Sequence, residues 1–190
     1  MYEVELKAKL NNYEFTKAEL LKQKPISTYP VDYYDRYYDL NNALNSTEKE
    51  LRLRTKTTID TAEPRYFLTF KESPFDVESK SKPEFETEVL DPEATETILN
   101  QLGYTKTLSY TKHCEIFKFT YKDSQLEVAL VKLDKLKDTF LEIETLTPYQ
   151  EKTDALFKIL YDFLEGIKIK KDQLTTSYYV DLVNETENTA

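Results

Sequence analysis

Glu3-Val4-Glu5-Leu6-Lys7, near the start of the chain, alternates charged and apolar residues. Successive side chains of a β-strand point to opposite faces, so this segment predicts a strand with one charged face and one apolar face. A single strand of this kind is typical of any antiparallel sheet with one wet face. The alternation returns in Arg52-Leu53-Arg54, Glu84-Phe85-Glu86-Thr87-Glu88 and Glu142-Ile143-Glu144. A merely solvated surface does not require strands sorted by the sign of their charge, so the repetition points to a function.

Strands and helices are predicted along the whole chain, within a single domain that spans residues 1–183 and is followed by a disordered polar tail at 184–190. Hairpin loops are predicted at 57–64 and 73–83. Periodicity and capping residues predict helices near residues 14–24, 91–102, 148–165 and 175–183. Alternation predicts strands near residues 2–10, 31–40, 49–58, 65–72, 82–90, 105–112, 114–121, 124–132 and 138–146.

These strands predict an α+β fold, an eight-stranded antiparallel β-barrel that forms a tunnel with helices packed on its outside. The charged faces of the strands would then point into the lumen. An interior lined by glutamate, arginine and lysine cannot stay empty and dry, because unpaired buried charge is too costly. We therefore expect the lumen to hold water, a metal ion and an anionic ligand.

Composition excludes several classes of partner. The chain of 190 residues fits one domain, and its net charge of −9 argues against non-specific binding of nucleic acid. No segment reaches the ~18–20 consecutive apolar residues of a membrane span. The first residues are already patterned as a strand, which argues against a signal peptide. The single cysteine, Cys114, cannot form an internal disulfide, which favours a reducing, cytoplasmic location.

Scarce residue types restrict the chemistry. The only two glycines, Gly103 and Gly166, are predicted to be left-handed residues at helix C-termini. No glycine is left for a phosphate-binding loop, which excludes P-loop and Rossmann chemistry. One histidine, His113, and one cysteine cannot build a zinc site of the usual kind. Any metal must be held by carboxylates, which favours Mg²⁺, Mn²⁺ or Ca²⁺.

A series of short motifs resembles one known family in order and spacing over almost the whole chain. The motifs are Glu3-x-Glu5-x-Lys7, Asp35-Arg36-Tyr37-Tyr38-Asp39, Leu51-Arg52-Leu53-Arg54, Phe67-Leu68-Thr69-Phe70-Lys71, Glu86-x-Glu88, Leu102-Gly103-Tyr104, Lys112, Phe140-Leu141-Glu142-Ile143-Glu144 and Ser177-Tyr178. Together they resemble the CYTH superfamily, also called triphosphate tunnel metalloenzymes. That superfamily groups class IV adenylyl cyclases with thiamine triphosphatases and tripolyphosphatases.

The resemblance implies a tunnel that holds a triphosphate between basic residues and a divalent metal, Mg²⁺ or Mn²⁺. The metal ligands it implies are Glu3, Glu5, Glu142 and Glu144. The substrate-binding residues it implies are Lys7, Arg52, Arg54, Lys71, Lys112 and Ser177, of which Lys7, Arg52, Arg54 and Lys71 are also predicted to be catalytic. The expected partner is a small-molecule triphosphate (ATP, thiamine triphosphate or tripolyphosphate), with no nucleic acid and no membrane; a homodimer is left open.

Two positions depart from the family pattern. Cys114 stands where the family usually has an arginine, and Val131 where it usually has an aspartate. A shift of strand register would let Asp134 or Glu127 replace that aspartate. Glu84, next to a proline, is predicted to be solvated rather than a ligand.

Three functions therefore remain open. The first is a Mg²⁺- or Mn²⁺-dependent enzyme that hydrolyses or cyclises a triphosphate. The second, motivated by the two departures, is a protein that sequesters nucleotides or polyphosphate without efficient chemistry. The third is an ordinary β-rich domain with exposed charges.

Overall fold

A computed structural model describes residues 2–58, 63–76 and 81–189. The strands are β1 (Tyr2–Lys9), β2 (Ser27–Asp39), β3 (Glu50–Thr58), β4 (Pro64–Lys71), β5 (Glu84–Val89), β6 (Thr105–Tyr121), β7 (Ser124–Leu133) and β8 (Thr139–Thr147). The α-helices are α1 (Tyr13–Lys22), α2 (Pro92–Gln101), α3 (Thr153–Gly166) and α4 (Tyr179–Thr189). None of the helices in this part of the chain is long and apolar enough to span a membrane.

The eight strands form one curled antiparallel sheet in the order β1-β8-β7-β6-β2-β3-β4-β5. Its two edge strands are joined through the residues that precede β5. Tyr2 forms a β-bridge with Pro83, and the backbone N–H of Glu5 donates to the hydroxyl of Ser81 at 3.1 Å. The predicted α+β fold of eight antiparallel strands with helices outside is confirmed.

The apolar faces of the first and last strands pack against helices on the outside of the sheet. Val4 and Leu6 of β1 are buried in one cluster with Leu160 and Phe163 of α3. This contact explains the alternation at the start of the chain, because Val4 and Leu6 face a helix, whereas Glu3, Glu5 and Lys7 face the lumen. Burial of these side chains contributes about 1.5–3 kcal/mol each.

The C-terminal helix α4 packs against inward-facing residues of the sheet, beside the lumen. The Tyr179 ring packs edge-on against Phe140 and Tyr110, with ring centroids 5.2 and 6.4 Å apart respectively. Val183, one turn further along the helix, is fully buried. The first residues of α4 therefore form part of the lumen wall.

Several predicted element boundaries were wrong. The segments 105–112 and 114–121 form a single strand, β6. His113 continues the alternation of inward and outward side chains, and it is not a residue that favours a turn. The helix predicted at 148–165 begins as the 3₁₀ turn Gln150–Lys152 and becomes α-helical at Thr153, while α4 runs beyond its predicted end at 183. The loop predictions at 57–64 and 73–83 lie partly outside the described residues.

The two glycines differ in conformation. Gly103 has a φ of +93° after α2, as predicted. Gly166 is instead the last residue of α3, and the left-handed residue after that helix is Lys168, with a φ of +68°.

Candidate functional site

The lumen contains a cavity of about 640 Å³. Every predicted site residue except Ser177 lines it. Ser177 is exposed, and its backbone N–H donates to the hydroxyl of Thr175, which does line the cavity. The charged residues of the lining are Glu3, Glu5, Lys7, Glu50, Arg52, Arg54, Lys56, Lys71, Lys82, Glu84, Glu86, Lys112, Glu127, Glu142 and Glu144. The alternation along the strands, which predicted a charged interior, thus places the charged side chains of the strands inside.

Two predicted phosphate-binding lysines form ion pairs with two predicted metal ligands. Lys71 Nζ lies 2.5 Å from an oxygen of Glu3, and Lys112 Nζ lies 2.7 Å from an oxygen of Glu142. Burial acts to raise the pKa of each carboxyl, but the partner lysine outweighs it. The pKa of Glu3 falls below its usual value and that of Glu142 falls to about 2. In these two pairs, a lysine predicted to bind phosphate and a carboxylate predicted to bind metal neutralise one another.

The other two predicted metal ligands are crowded by like charge. Glu144 is the cross-strand partner of Glu5 on β1 and of Glu127 on β7. Burial, together with the carboxylates of Glu142 and Glu3, raises the pKa of Glu5 to about 7. Burial and three neighbouring carboxylates raise the pKa of Glu144 well above its usual value. A cation at this side of the lumen would relieve that repulsion.

The donor set fits a hard divalent cation that is shared with a ligand. Carboxylate oxygens are the donors that Mg²⁺ and Mn²⁺ prefer. Within the described residues no three carboxylate, histidine or cysteine side chains are grouped closely enough to hold a metal by themselves. Mg²⁺ is usually bound by one or two carboxylates plus substrate phosphates rather than by an all-protein cage, so the two observations agree.

The two arginines of β3 have different surroundings. Arg54 donates through Nε and Nη2 to both carboxylate oxygens of Asp35, each at 2.7 Å, and Asp35 is fully buried. Arg52 is 9% exposed and lies only loosely near carboxylates, 3.7 Å from Asp35 and 4.0 Å from Glu84. Its Nε is buried and has no hydrogen-bond partner in the part of the chain that the structure describes. Arg54 is therefore committed to a structural pair, whereas Arg52 has a donor left for a ligand.

Lys7 is the second cation of the lumen, after Arg52, with capacity for a ligand. Its ammonium lies 4.4 Å from the centroid of the Tyr179 ring, and Lys112 also lies against this ring at 4.9 Å. Burial lowers the pKa of Lys7, and the carboxylates of Glu5 and Glu142 only partly oppose this effect. An anion bound beside Lys7 would stabilise its charged form.

Six charged residues of the lumen lie outside the predicted site, namely Glu50, Lys56, Lys82, Glu84, Glu86 and Glu127, the last of which had been considered as an alternative. Glu84 is an inward-facing residue 3.5 Å from Lys71, so the prediction that it is merely solvated was wrong. Lys56 continues the Arg52-x-Arg54 alternation and could have been found from it. Lys82 lies in the loop before β5, where no periodic signal exists. Glu127 pairs with Lys118 at 3.2 Å on the inner face of β6 and β7.

The two departures from the family pattern occupy facing positions. Cys114 and Val131 are cross-strand partners on β6 and β7, and both are buried. Burial raises the pKa of the Cys114 thiol to about 12, so it is neutral at physiological pH. The pairing of β7 with its neighbours has no register shift. Glu127 therefore reaches the lumen in the regular register, while Asp134 is exposed.

Acid should unfold the protein partly through Asp35. Burial acts to raise the pKa of this carboxyl, but Arg54 and Arg52 hold it at about 2, below the ordinary value of 3.8. A depressed carboxyl pKa adds stability that is present above pH 4 and is lost as the pH falls towards 2. Urea unfolding at several pH values should show this loss. Asp35→Asn should flatten the dependence between pH 4 and 2, and an unchanged slope would contradict the assignment.

Comparison with known proteins agrees with this geometry. Residues 1–179 match the CYTH domain family. The protein MJ0240 of Methanocaldococcus jannaschii is 24% identical over 184 residues, which cover 96% of this chain and 98% of that protein. The structure of PH1819 from Pyrococcus horikoshii has a TM-score of 0.84 at 24% identity, covering 97% and 99% of the two chains. The structure of HpAC1 from Hippeastrum has a TM-score of 0.65 at 15% identity, covering 97% and 96%. This chain therefore belongs to the CYTH domain family.

Proposed function

We propose that the lumen binds a triphosphate together with Mg²⁺ or Mn²⁺ and catalyses its hydrolysis or cyclisation. One observation carries the proposal. The Arg52 guanidinium is buried, lines the cavity and has an Nε without a hydrogen-bond partner. A buried donor of this kind is costly unless a ligand satisfies it. An arginine fork suits phosphate oxygens in particular, since it is planar and always charged.

The ion pairs of the lumen explain how a metal and a triphosphate would be bound together. A triphosphate alone would take Lys71 and Lys112 from Glu3 and Glu142, leaving two carboxylates beside a polyanion. If a divalent cation were bound as well, Glu3 and Glu142 could hold it and Lys71 and Lys112 would be free to bind phosphate. The residues that can hold the metal are Glu3, Glu5, Glu142 and Glu144, with Glu127 as an added candidate. A bound Mg²⁺ or Mn²⁺ neutralises charge on the phosphoryl oxygens and orients the attacking oxygen.

Each basic residue then has a defined task. Arg52 and Lys7 supply donors that are not committed to a close carboxylate pair. Lys71 and Lys112 would bind phosphate once they are released from Glu3 and Glu142. Arg54 holds Asp35 and, through it, the position of the β3 backbone facing the cavity. Hydrolysis and cyclisation differ in whether water or a ribose hydroxyl attacks. Ser177 would need to turn inward to bind phosphate.

The relatives support this class of reaction. The name of MJ0240 proposes an adenylate cyclase. The Hippeastrum protein HpAC1 is named as an adenylyl cyclase and is described as having a dominant triphosphatase activity. A cytoplasmic location and a homodimer stay predictions.

A sequestering function is the second candidate, and the facing pair Cys114 and Val131 favours it. Both residues are uncharged where the family usually has an arginine and an aspartate. Removing one donor to a developing charge can cost ~10²–10³ in rate. Tight binding of a triphosphate without product would identify this function.

Turnover assays separate these functions. Purified protein should convert ATP, thiamine triphosphate or tripolyphosphate in the presence of Mg²⁺ or Mn²⁺, measured as released phosphate, pyrophosphate or cyclic nucleotide. Excess EDTA should abolish the activity, and restored Mn²⁺ should recover it. His113→Ala is a matched control, because His113 pairs with Asp32 on the exposed outer face. Binding without turnover would support sequestration, and absence of both would contradict a triphosphate site.

A further inference from the structure

Tyr179, the first residue of α4, lies against two cations of the lumen. Its side chain lines the cavity and is 7% exposed. Lys7 Nζ lies over the ring at 4.4 Å from its centroid, and Lys112 Nζ lies over it at 4.9 Å. Both distances are within the roughly 6 Å over which an aromatic ring attracts an ammonium group. The ring is therefore a contact that two lysines from distant strands, β1 and β6, have in common.

The ring of Tyr179 is held from several sides. Phe140 and Tyr110 pack edge-on against it, with centroids 5.2 and 6.4 Å away respectively. Tyr110 is itself fixed by the hydroxyl of Tyr37, since the two hydroxyl oxygens lie 2.7 Å apart in a buried hydrogen bond. Val183 is fully buried in the same apolar cluster and anchors α4 one turn further along. A ring with these neighbours stays in place when charged side chains of the lumen rearrange.

The two lysines need a support that a bound ligand does not remove. Their like charges oppose each other. Glu142 offsets this repulsion, because it is the cross-strand partner of Lys7 and lies 2.7 Å from Lys112 Nζ. If Glu142 turned to a metal ion, both lysines would lose that carboxylate. The ring of Tyr179 is uncharged, so a metal ion would not compete for it.

We propose that Tyr179 is a positioning residue whose ring keeps the ammonium groups of Lys7 and Lys112 in place for the phosphate chain while Glu142 binds the metal. The inference rests on the proposed function, since it requires a metal and a triphosphate in the lumen. The ring attracts each cation without accepting a conventional hydrogen bond from it, so the N–H donors of both lysines stay free for phosphate oxygens. A carboxylate in the same place would occupy those donors.

Calorimetry with Mn²⁺ and 3′-deoxy-ATP that carries a β,γ-imido bridge tests the role of the ring. Tyr179→Leu removes the ring, and we expect the affinity to fall at least about tenfold. Tyr179→Phe keeps the ring and should bind within about twofold of the unmodified protein. An unchanged affinity in Tyr179→Leu, or an equal loss in Tyr179→Phe, would overturn the inference.

Val183→Ala is the control for the seating of α4. It removes buried apolar volume from the same helix and should lower the thermal transition, but it leaves the ring and both lysines in place. We therefore expect its affinity for the analogue to stay within about twofold. A loss as large as that of Tyr179→Leu would show that the packing of the helix, rather than the ring, supports binding, and would overturn the inference.

A double-mutant cycle tests whether the ring acts through a lysine. In a Lys7→Met background, Tyr179→Leu should lower the affinity by a smaller factor than in the unmodified protein, because one of the two cations on the ring is gone. A purely structural role of Tyr179 would give the same factor in both backgrounds. Equal factors would therefore overturn the inference.

The structure of the unmodified protein with Mn²⁺ and the same analogue decides the matter if Tyr179→Leu does not fold. We expect Lys7 Nζ and Lys112 Nζ to stay within about 6 Å of the Tyr179 centroid while Lys112 is released from Glu142. Ammonium groups that leave the ring in the complex would overturn the inference and leave the proposed function intact. A lumen that binds no analogue would overturn the proposed function itself.

Discussion

Arg52→Ala is expected to lower kcat/KM for the triphosphate by ~10²–10³ while changing the stability of the protein little. The Arg52 side chain lines the cavity, and its Nε has no hydrogen-bond partner among the described residues, so its loss removes a cation that can bind the ligand. The fold loses little, because Asp35 stays paired with Arg54 at 2.7 Å and Arg52 is only loosely near it at 3.7 Å. Steady-state kinetics measure kcat/KM, calorimetric titration measures the affinity for the triphosphate, and urea unfolding measures the stability.

Two variants control this experiment. Arg52→Lys keeps the charge but loses the planar fork, so it should recover only part of the affinity. Arg65→Ala removes an exposed arginine that pairs with Glu88 outside the lumen and should leave kinetics unchanged. Unchanged triphosphate affinity in Arg52→Ala would show that the guanidinium does not face the ligand.

Arg54→Ala is expected to destabilise the fold by about 3–5 kcal/mol, because it leaves a buried carboxylate without its partner. Asp35 is fully buried, and both of its oxygens accept from Arg54. Urea unfolding at pH 7 measures the loss. The double variant Asp35→Leu with Arg54→Met removes both charges and should recover most of the stability, since paired replacement by apolar residues is often neutral.

The exposed pair of Arg65 and Glu88 is a matched control for this second experiment. It has the same two-bonded geometry, with N–O distances of 2.8 and 2.6 Å, but both side chains are in solvent. Solvent screening makes such a pair weak, so Arg65→Ala should cost far less than Arg54→Ala. Similar small losses for both variants would contradict a structural role for the buried pair.

The fold was predictable where one physical signal dominated. In β1 and β8 charged residues alternate with apolar ones, and the apolar residues Val4, Leu6, Leu141 and Ile143 are buried in one cluster with residues of α3. Parity along the strand then places Glu3, Glu5, Glu142 and Glu144 in the lumen. In β6 the same rule extends through His113, and treating that residue as a break produced the error of two strands.

The remaining features depend on contacts between distant segments. Lys82 enters the lumen because the loop before β5 crosses to β1, and no local pattern records that crossing. The pairing of Lys71 with Glu3 joins residues 68 positions apart. The alternation of side chains along each strand shows that both residues face inward, but only the curl of the sheet brings them into contact. The difference between Arg52 and Arg54 likewise follows from the position of Asp35 on the neighbouring strand.

The central claim is that a metal-bridged triphosphate joins the opposite charges of the lumen. It is tested by diffraction at the manganese edge from crystals grown with Mn²⁺ and 3′-deoxy-ATP that carries a β,γ-imido bridge. The account predicts an anomalous peak in contact with Glu5 or Glu144, phosphate density within hydrogen-bond distance of the Arg52 guanidinium, and broken Lys71–Glu3 and Lys112–Glu142 pairs. A nucleotide bound only on the outer surface, with both pairs intact, would contradict it.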